Sequence, residues 1–395
     1  MVKKFYSSVE MIQQLVAFDT TSSKTNMHLI DFIQRYLSLH GVESTLIPDP
    51  TANKSNLFAT IGPEETPGVV LSGHTDVVPV DGQSWETKPF DVTEKNGRLY
   101  GRGTSDMKSF IAITLSLVPY FLAQSLKIPI HLAFSYDEEI GCLGAPRMIA
   151  QFGKAQVMPL ACFVGEPTNM KVVNAHKGVH GFRTTVYGLE QHSSATHKGV
   201  NAVQYASRLI TYLSDLSNEI SNTMSDSQSE FEPPYTTIHV GTIQGGTAQN
   251  IIPKECTFSW EYRLMPEEDP EEIYNKFKMF VDTDILPSMR KNFANASVDT
   301  IQRTIVPGLR AEKNSFAEEL ALNIAKDNST GVVSFGTEAG QFQSAGVPTI
   351  ICGPGSIEQA HKPNEFIELK QVSECEGFLR KLSEFCCYDK MYDDN

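Results

Sequence analysis

Basic residues are in short supply: 33 lysines and arginines stand against 47 aspartates and glutamates, a formal net charge of −14 over 395 residues. That deficit argues against nucleic acid or an anionic membrane as the main partner, since both select for a positive surface. Long apolar runs are missing too, and no window approaches the roughly 18 apolar residues that a membrane span requires. The first twenty residues, MVKKFYSSVEMIQQLVAFDT, carry two lysines. Their apolar positions are spaced as on an amphipathic helix, with no h-region or small-residue cleavage site, so no signal peptide is expected. Cysteines number seven, an odd count with no CxxC spacing. This suits reduced thiols in a cytoplasmic protein better than a disulfide framework. The sequence contains no repeat and no low-complexity segment.

What is present suits a soluble globular protein with an ample core: 41% of residues are hydrophobic and 20% charged. The length exceeds that at which a single core stops growing, so two domains are expected. In the first third, helical patterns over 8–18, 27–39 and 107–123 alternate with strand patterns over 55–61, 69–71, 98–100, 128–135 and 160–164. Near the C-terminus a short strand over 348–352 lies between helices over 315–326 and 373–386. Apolar strands alternating with helices predict an α/β domain, a mainly parallel sheet covered on both faces.

The middle of the chain reads differently. Strand, helix, two strands, helix and strand follow one another over 178–188, 200–217, 236–244, 254–263, 270–286 and 296–305, which is the ferredoxin-like β-α-β-β-α-β order. The polar stretch 217–234 reads as a loop within it. The expected organisation is a discontinuous main domain, 1–178 and 309–395, interrupted by an inserted α+β domain, 179–308.

Open α/β sheets gather their ligands at the carboxyl ends of strands. The first such end, in LSGHTDVVPV, delivers His74 and Asp76; YDEE delivers Asp137, Glu138 and Glu139; VGEP delivers Glu166; and a Gly-Pro loop leads to His361. Asp106 stands just before the long helix. Imidazoles and carboxylates are ordinary zinc ligands. Two ions roughly 3.5–4 Å apart need a bridging group between them, which a carboxylate supplies. The assignment is His74 and Glu166 to one ion, Glu139 and His361 to the other, and Asp106 shared. Asp76, two residues beyond His74 in an extended segment, is expected to accept from the far imidazole nitrogen and so aim the ring. Glu138 is left as the general base that takes a proton from water and returns it to a leaving amine.

The segments SGHTDVVP, GRGTSDMKS, YDEEIGCLGA, GEPT and GPGSIEQAHKPNEF together resemble the aminoacylase and carboxypeptidase superfamily of dinuclear zinc hydrolases, and within it the acetylornithine deacetylase branch. The resemblance spans nearly the whole chain. It implies a zinc-peptidase-like fold, two Zn2+ per subunit with Co2+ as a substitute, and His74, Asp106, Glu139, Glu166 and His361 as metal ligands. Asp76 and Glu138 become the orienting carboxylate and the base. It also implies a homodimer formed through the inserted domain, which doubles as a lid. GLEQHSSATHKGVNA matches an insert motif that makes His192 a transition-state donor, and GGTAQNIIP and EYRLMP put Asn250 and Arg263 on the substrate side. Where desuccinylases of the superfamily carry a Ser-Asp-Gly-Arg type segment, this chain has GTEAGQF, whose Glu338 is expected to face a substrate ammonium.

The implied reaction is removal of an acyl group from a small N-acyl amino acid, with N2-acetyl-L-ornithine foremost. A desuccinylase, an aminoacylase or a dipeptidase would use the same chemistry, and a non-catalytic, metal-stabilised binder is the alternative from another class. Each residue also has a plainer reading. Asp106 and His192 suit helix caps, Glu166 a turn before Pro167, His361 a solvated loop, Asn250 a turn and Arg263 a surface ion pair.

Overall fold

In the computed structural model, residues 5–154, 157–224 and 229–388 are described. The chain divides into two compact units. One comprises residues 1–175, 309–332 and 337–395; the other comprises 176–308 and 333–336. The sequence-based break at 178/179 therefore lies three residues inside the second unit.

The first unit is built on an eight-stranded sheet. Its four central strands, in the order Ile130–Ser135, Val69–His74, Ala161–Pro167 and Thr349–Gly353, run parallel. Strands Ser55–Ile61 and Ser44–Pro48 continue one edge in antiparallel fashion. Val173–His176 and Gly331–Val333 continue the other. Every residue of Val69–His74 and of Ala161–Pro167 is buried, as expected for strands covered on both faces. Leu71, Leu132, Phe163 and Ile350 meet the helical residues Ile12, Ile111 and Leu379 in one continuous core.

Local chemistry explains the helix boundaries. Ser7 and Glu10 form a capping box at the start of Ser8–Val16. The helix expected over 107–123 is two, Lys108–Ser116 and Val118–Leu122, because Pro119 lacks the N–H that would continue the ladder. The strands Ser44–Pro48, Val173–His176 and Gly331–Val333 are too short to show a period, and the amphipathic helix Ala145–Lys154 is also absent from the sequence-based organisation. The segment over 98–100 is a strand, but it pairs in a separate three-stranded sheet with Thr93–Lys95 and Phe366–Glu368.

The second unit is a four-stranded antiparallel sheet in the order Thr237–Gly245, Glu255–Leu264, Gly178–Tyr187, Ser297–Val306. Numbered along the chain, that is 2-3-1-4, the ferredoxin-like arrangement. Phe182, Trp260 and Phe277 fill its core with the long helix Ala202–Met224. The loop expected over 217–234 is corrected: the helix runs on to Met224 because Leu213, Leu216 and Ile220 keep its apolar stripe going. Residues 225–228 of that stretch lie outside the described residues.

All seven cysteines are free thiols. Among the described residues, no helix is long and apolar enough to cross a membrane. One half-buried group ties the fold to pH. Burial pushes the His131 imidazole down to about 4, so between pH 4 and 6.5 the folded state binds fewer protons than the unfolded chain. This contribution is present in full above about pH 6.5 and is lost as pH falls toward 4, amounting to about 3 kcal/mol. Calorimetry of wild type and His131→Gln should show a Tm that falls less steeply for the variant across that window. Equal slopes would refute the assignment.

Candidate metal centre

Three parallel strands end side by side and each presents one part of the site. His74 is the last residue of its strand, opposite Ser135. Beyond Ser135 the chain turns: Asp137 takes a left-handed φ of 56°, and Glu138 O accepts from the N–H groups of Gly141 and Cys142. Glu166 closes the third strand. Its neighbour Gly165 must be glycine, since a Cβ there would lie 2.1 Å from the Phe110 ring.

These ends, with two loops, bring all five expected ligands together. Asp106 stands between two imidazoles, its Oδ1 3.0 Å from His74 Nε2 and its Oδ2 3.4 Å from His361 Nε2. Glu166 Oε1 is 3.6 Å from His74 Nε2, and Glu139 Oε2 is 2.9 Å from His361 Nε2. Two compact donor groups result, His74 with Glu138 and Glu166, and His74 with Asp106 and Glu139. Glu138 places Oε2 4.0 Å from His74 Nε2, and its Oε1 accepts from Cys142 Sγ. His74 is buried, whereas the His361 side chain is 53% exposed; the site opens to solvent on the His361 side.

Electrostatics mark the cluster as a cation site. Burial pushes Glu138 up to about 8, with Glu139, Asp106 and Asp76 adding to the effect against His74. Glu139 rises to about 7 by burial and the nearby Asp106. Glu166 goes well above its ordinary range, chiefly by burial. Burial alone would lower His74, yet Glu166, Asp106 and Asp76 hold it well above its usual value. Hydrogen bonds to Asp106 and Glu139 raise His361 to about 10. Carboxylates packed this closely resist ionising together unless positive charge is supplied. Glu166 Oε1 is buried without a hydrogen-bond partner, and a buried acceptor left so is costly. The donor set, imidazole nitrogens and carboxylate oxygens with an orphaned oxygen aimed among them, fits divalent cations of the zinc or cobalt type. Cys142 and Cys352 stay out of it, their thiols pushed up by burial, Cys352 to about 12.

Several expectations need correcting. The plainer reading of Asp106 as a helix cap fails, since the cap residue of Lys108–Ser116 is Met107. His74 Nδ1 meets the main-chain oxygen of Asp76 at 3.0 Å, with the carboxylate at 3.6 Å. The Asp76 carboxylate, still within ion-pair distance of that ring, also accepts from the N–H groups of Glu138 and Glu139 and from the Ser22 hydroxyl. It thus pins the turn that carries Glu138 and Glu139. Glu138 and Glu139 do point to different imidazoles, but through that turn and not through an extended chain. Glu338 does not face a ligand: it is 1% exposed and accepts from the hydroxyls of Ser72 and Ser135 within the sheet. The two hydroxyls compensate a carboxylate that burial has pushed up.

In the second unit, Ser193 N–H donates to Asn250 O, which brings His192 beside Asn250. The His192 ring accepts from Ser194 N–H and caps the short helix Ser193–Lys198. Arg263 pairs with Glu261 at 2.9 Å. The sequence reading missed Arg102, Glu365 and Gln83, which tie the Asp106 and His361 loops together. The available signal was a charged residue inside each of two motif segments.

The chain is similar to an acetylornithine deacetylase from Myxococcus xanthus, at 34% identity over 95% of this chain and 96% of that one. Among solved structures it is similar to an M20 family metallo-carboxypeptidase from Sulfolobus solfataricus, with a TM-score of 0.76 at 17% identity, covering 97% of this chain and 100% of that one. It is also similar to a dinuclear metal-binding peptidase of the M20 family from Bacillus subtilis, with a TM-score of 0.64 at 16% identity, covering 96% and 97%. The sequence matches peptidase family M20/M25/M40 over residues 70–384. A site of this composition at the strand ends of this fold, together with a family match over most of its length, makes the chain a metal-dependent amide hydrolase that belongs to peptidase family M20/M25/M40.

Proposed function

We propose that the protein removes the acetyl group from N2-acetyl-L-ornithine, releasing L-ornithine and acetate as a step of arginine formation. The observation that carries the chemistry is the Asp106 carboxylate, with one oxygen toward each imidazole. Support for the substrate comes from the near full-length likeness to acetylornithine deacetylases.

His74 and Glu166 would hold one cation, His361 and Glu139 the other, and Asp106 would serve both. Two divalent cations bound there supply Lewis acidity for the amide carbonyl and make water acidic near neutral pH. Glu138 accepts the proton of the attacking water and delivers it to the nitrogen of the departing amine. The Cys142 thiol, 3.3 Å from Glu138 Oε1, and the main-chain bonds to Asp76 hold that carboxylate in place. The Asp76 carbonyl fixes the His74 ring so that Nε2 faces the cluster. We assign His192, Asn250 and Arg263 substrate-side roles on the strength of their motifs alone, and the second unit the role of dimerisation and lid element.

Acetate or amine release should be measured on N2-acetyl-L-ornithine, N-succinyl-diaminopimelate, N-acetylmethionine and a dipeptide. Each is assayed before chelation, after it, and after adding back zinc or cobalt. The expected result is a preference for acetylornithine, lost on chelation and restored by metal. Faster turnover of another substrate would replace the assignment within the same chemistry. No release under any metal condition would favour a ligand-binding protein.

A further inference from the structure

The loops that carry Asp106 and His361 are joined by a buried ion pair. Arg102, 1% exposed, donates through Nη1 to Glu365 Oε2 at 2.6 Å and through Nη2 to Gln83 Oε1 at 2.7 Å. Glu365, equally buried, accepts at Oε1 from three main-chain N–H groups, those of Gly103, Ser105 and Asp106, at 3.0, 2.8 and 3.0 Å. Gln83 closes the circuit by donating Nε2 to the main-chain oxygen of His361 at 2.9 Å.

A buried ion pair is weak evidence of stabilisation, because desolvation offsets much of its attraction. Its value here is geometric. Three N–H groups converging on one oxygen leave the Asp106 backbone a single orientation, which sets the carboxylate between the two imidazoles. His361 has a left-handed φ of 62°, sparsely populated for a side-chain-bearing residue, and its carbonyl is held by Gln83. The two halves of the cluster differ in this respect. His74 and Glu166 end strands locked in the central sheet, whereas His361 sits on a loop with its side chain half exposed.

Resting on the two-cation reading above, we infer that Arg102, Glu365 and Gln83 are positioning residues of the metal centre, which hold the His361 and Glu139 site in register with the His74 and Glu166 site. Their loss weakens the first of these more than the second.

The test is a calorimetric zinc titration of metal-stripped wild type, Gln83→Ala and Glu365→Gln, with the Tm of each metal-free protein. Wild type should bind two equivalents. Gln83→Ala should keep one affinity near wild type and lose about 10–100-fold in the other, the usual cost of removing an outer-shell partner. Glu365→Gln, which also frees the shared Asp106, should weaken both sites, one clearly more than the other. The metal-free Tm of Gln83→Ala should fall less than that of Glu365→Gln, since it leaves one Arg102 donor without its acceptor and keeps the ion pair. Gln83 is only half-buried on a loop, so this variant decides the matter if Glu365→Gln fails to fold. Two wild-type affinities in Gln83→Ala would overturn the inference. Equal weakening of both sites with a lowered metal-free Tm would reduce the residues to scaffold and overturn it as well. A wild type that binds fewer than two equivalents would instead overturn the two-cation reading, and this inference with it.

Discussion

Glu138→Gln should lower kcat on N2-acetyl-L-ornithine by about 10²–10⁴-fold, the range supplied by a positioned acid–base group. Two equivalents of metal should remain bound. Glutamine matches the shape of the carboxylate and can still accept from Cys142, but it cannot take up a proton. KM should change little, so kcat and kcat/KM fall together, the signature of an interaction made only in the transition state. The informative control is metal content. Glu138 Oε2 approaches His74 Nε2 at 4.0 Å and shares a donor group with Glu166, so a ligand role is geometrically open to it. If elemental analysis of the variant found one equivalent where wild type has two, Glu138 would be a ligand. The proton carrier would then have to be sought elsewhere in the cluster.

Asp106→Asn attacks the other pivot. The carboxylate serves both halves of the site through separate oxygens, and hydrogen bonds to both imidazoles hold it ionised despite its burial. An amide there presents an NH2 group toward one half and removes a negative charge from both. Zinc content should fall below two equivalents. Turnover should drop by about 10³-fold or more, since several kcal/mol of Lewis acidity depend on that geometry. Thermal stability offers an independent reading. Each ion that binds only the folded state stabilises it by about 2.7 kcal/mol at a free concentration one hundred times its Kd. Saturating zinc should therefore raise the Tm of wild type, and raise it clearly less in Asp106→Asn. An equal rise in both proteins would mean that the stabilising ions bind elsewhere.

The residues that meet at the centre were readable because strand ends in parallel sheets are where such folds place their chemistry. His74, Glu138, Glu139 and Glu166 each follow an apolar run short enough to be a buried strand, and His361 follows another, Thr349–Gly353, across a Gly-Pro loop. The ferredoxin-like order of the second unit was readable for a similar reason, its amphipathic helices and alternating strands having strong periods. Glu338 was misread because it stands in GTEAGQF, where desuccinylases of the superfamily carry a Ser-Asp-Gly-Arg type segment, and an acidic side chain there suggested a substrate ammonium as its partner. Nothing local announces that Ser72 and Ser135, more than two hundred positions away, will bury it.

Local sequence thus specified the kinds of groups available and the order in which strands and helices would supply them, since side-chain periodicity and donor chemistry act over a few residues. Packing chose among the options left open. It sent the Asp76 carboxylate to two main-chain N–H groups while the Asp76 carbonyl took the imidazole, and it tied the Asp106 and His361 loops through Arg102 and Glu365. Those choices depend on which distant chain segments displace water from one another, and no window of neighbouring residues records that.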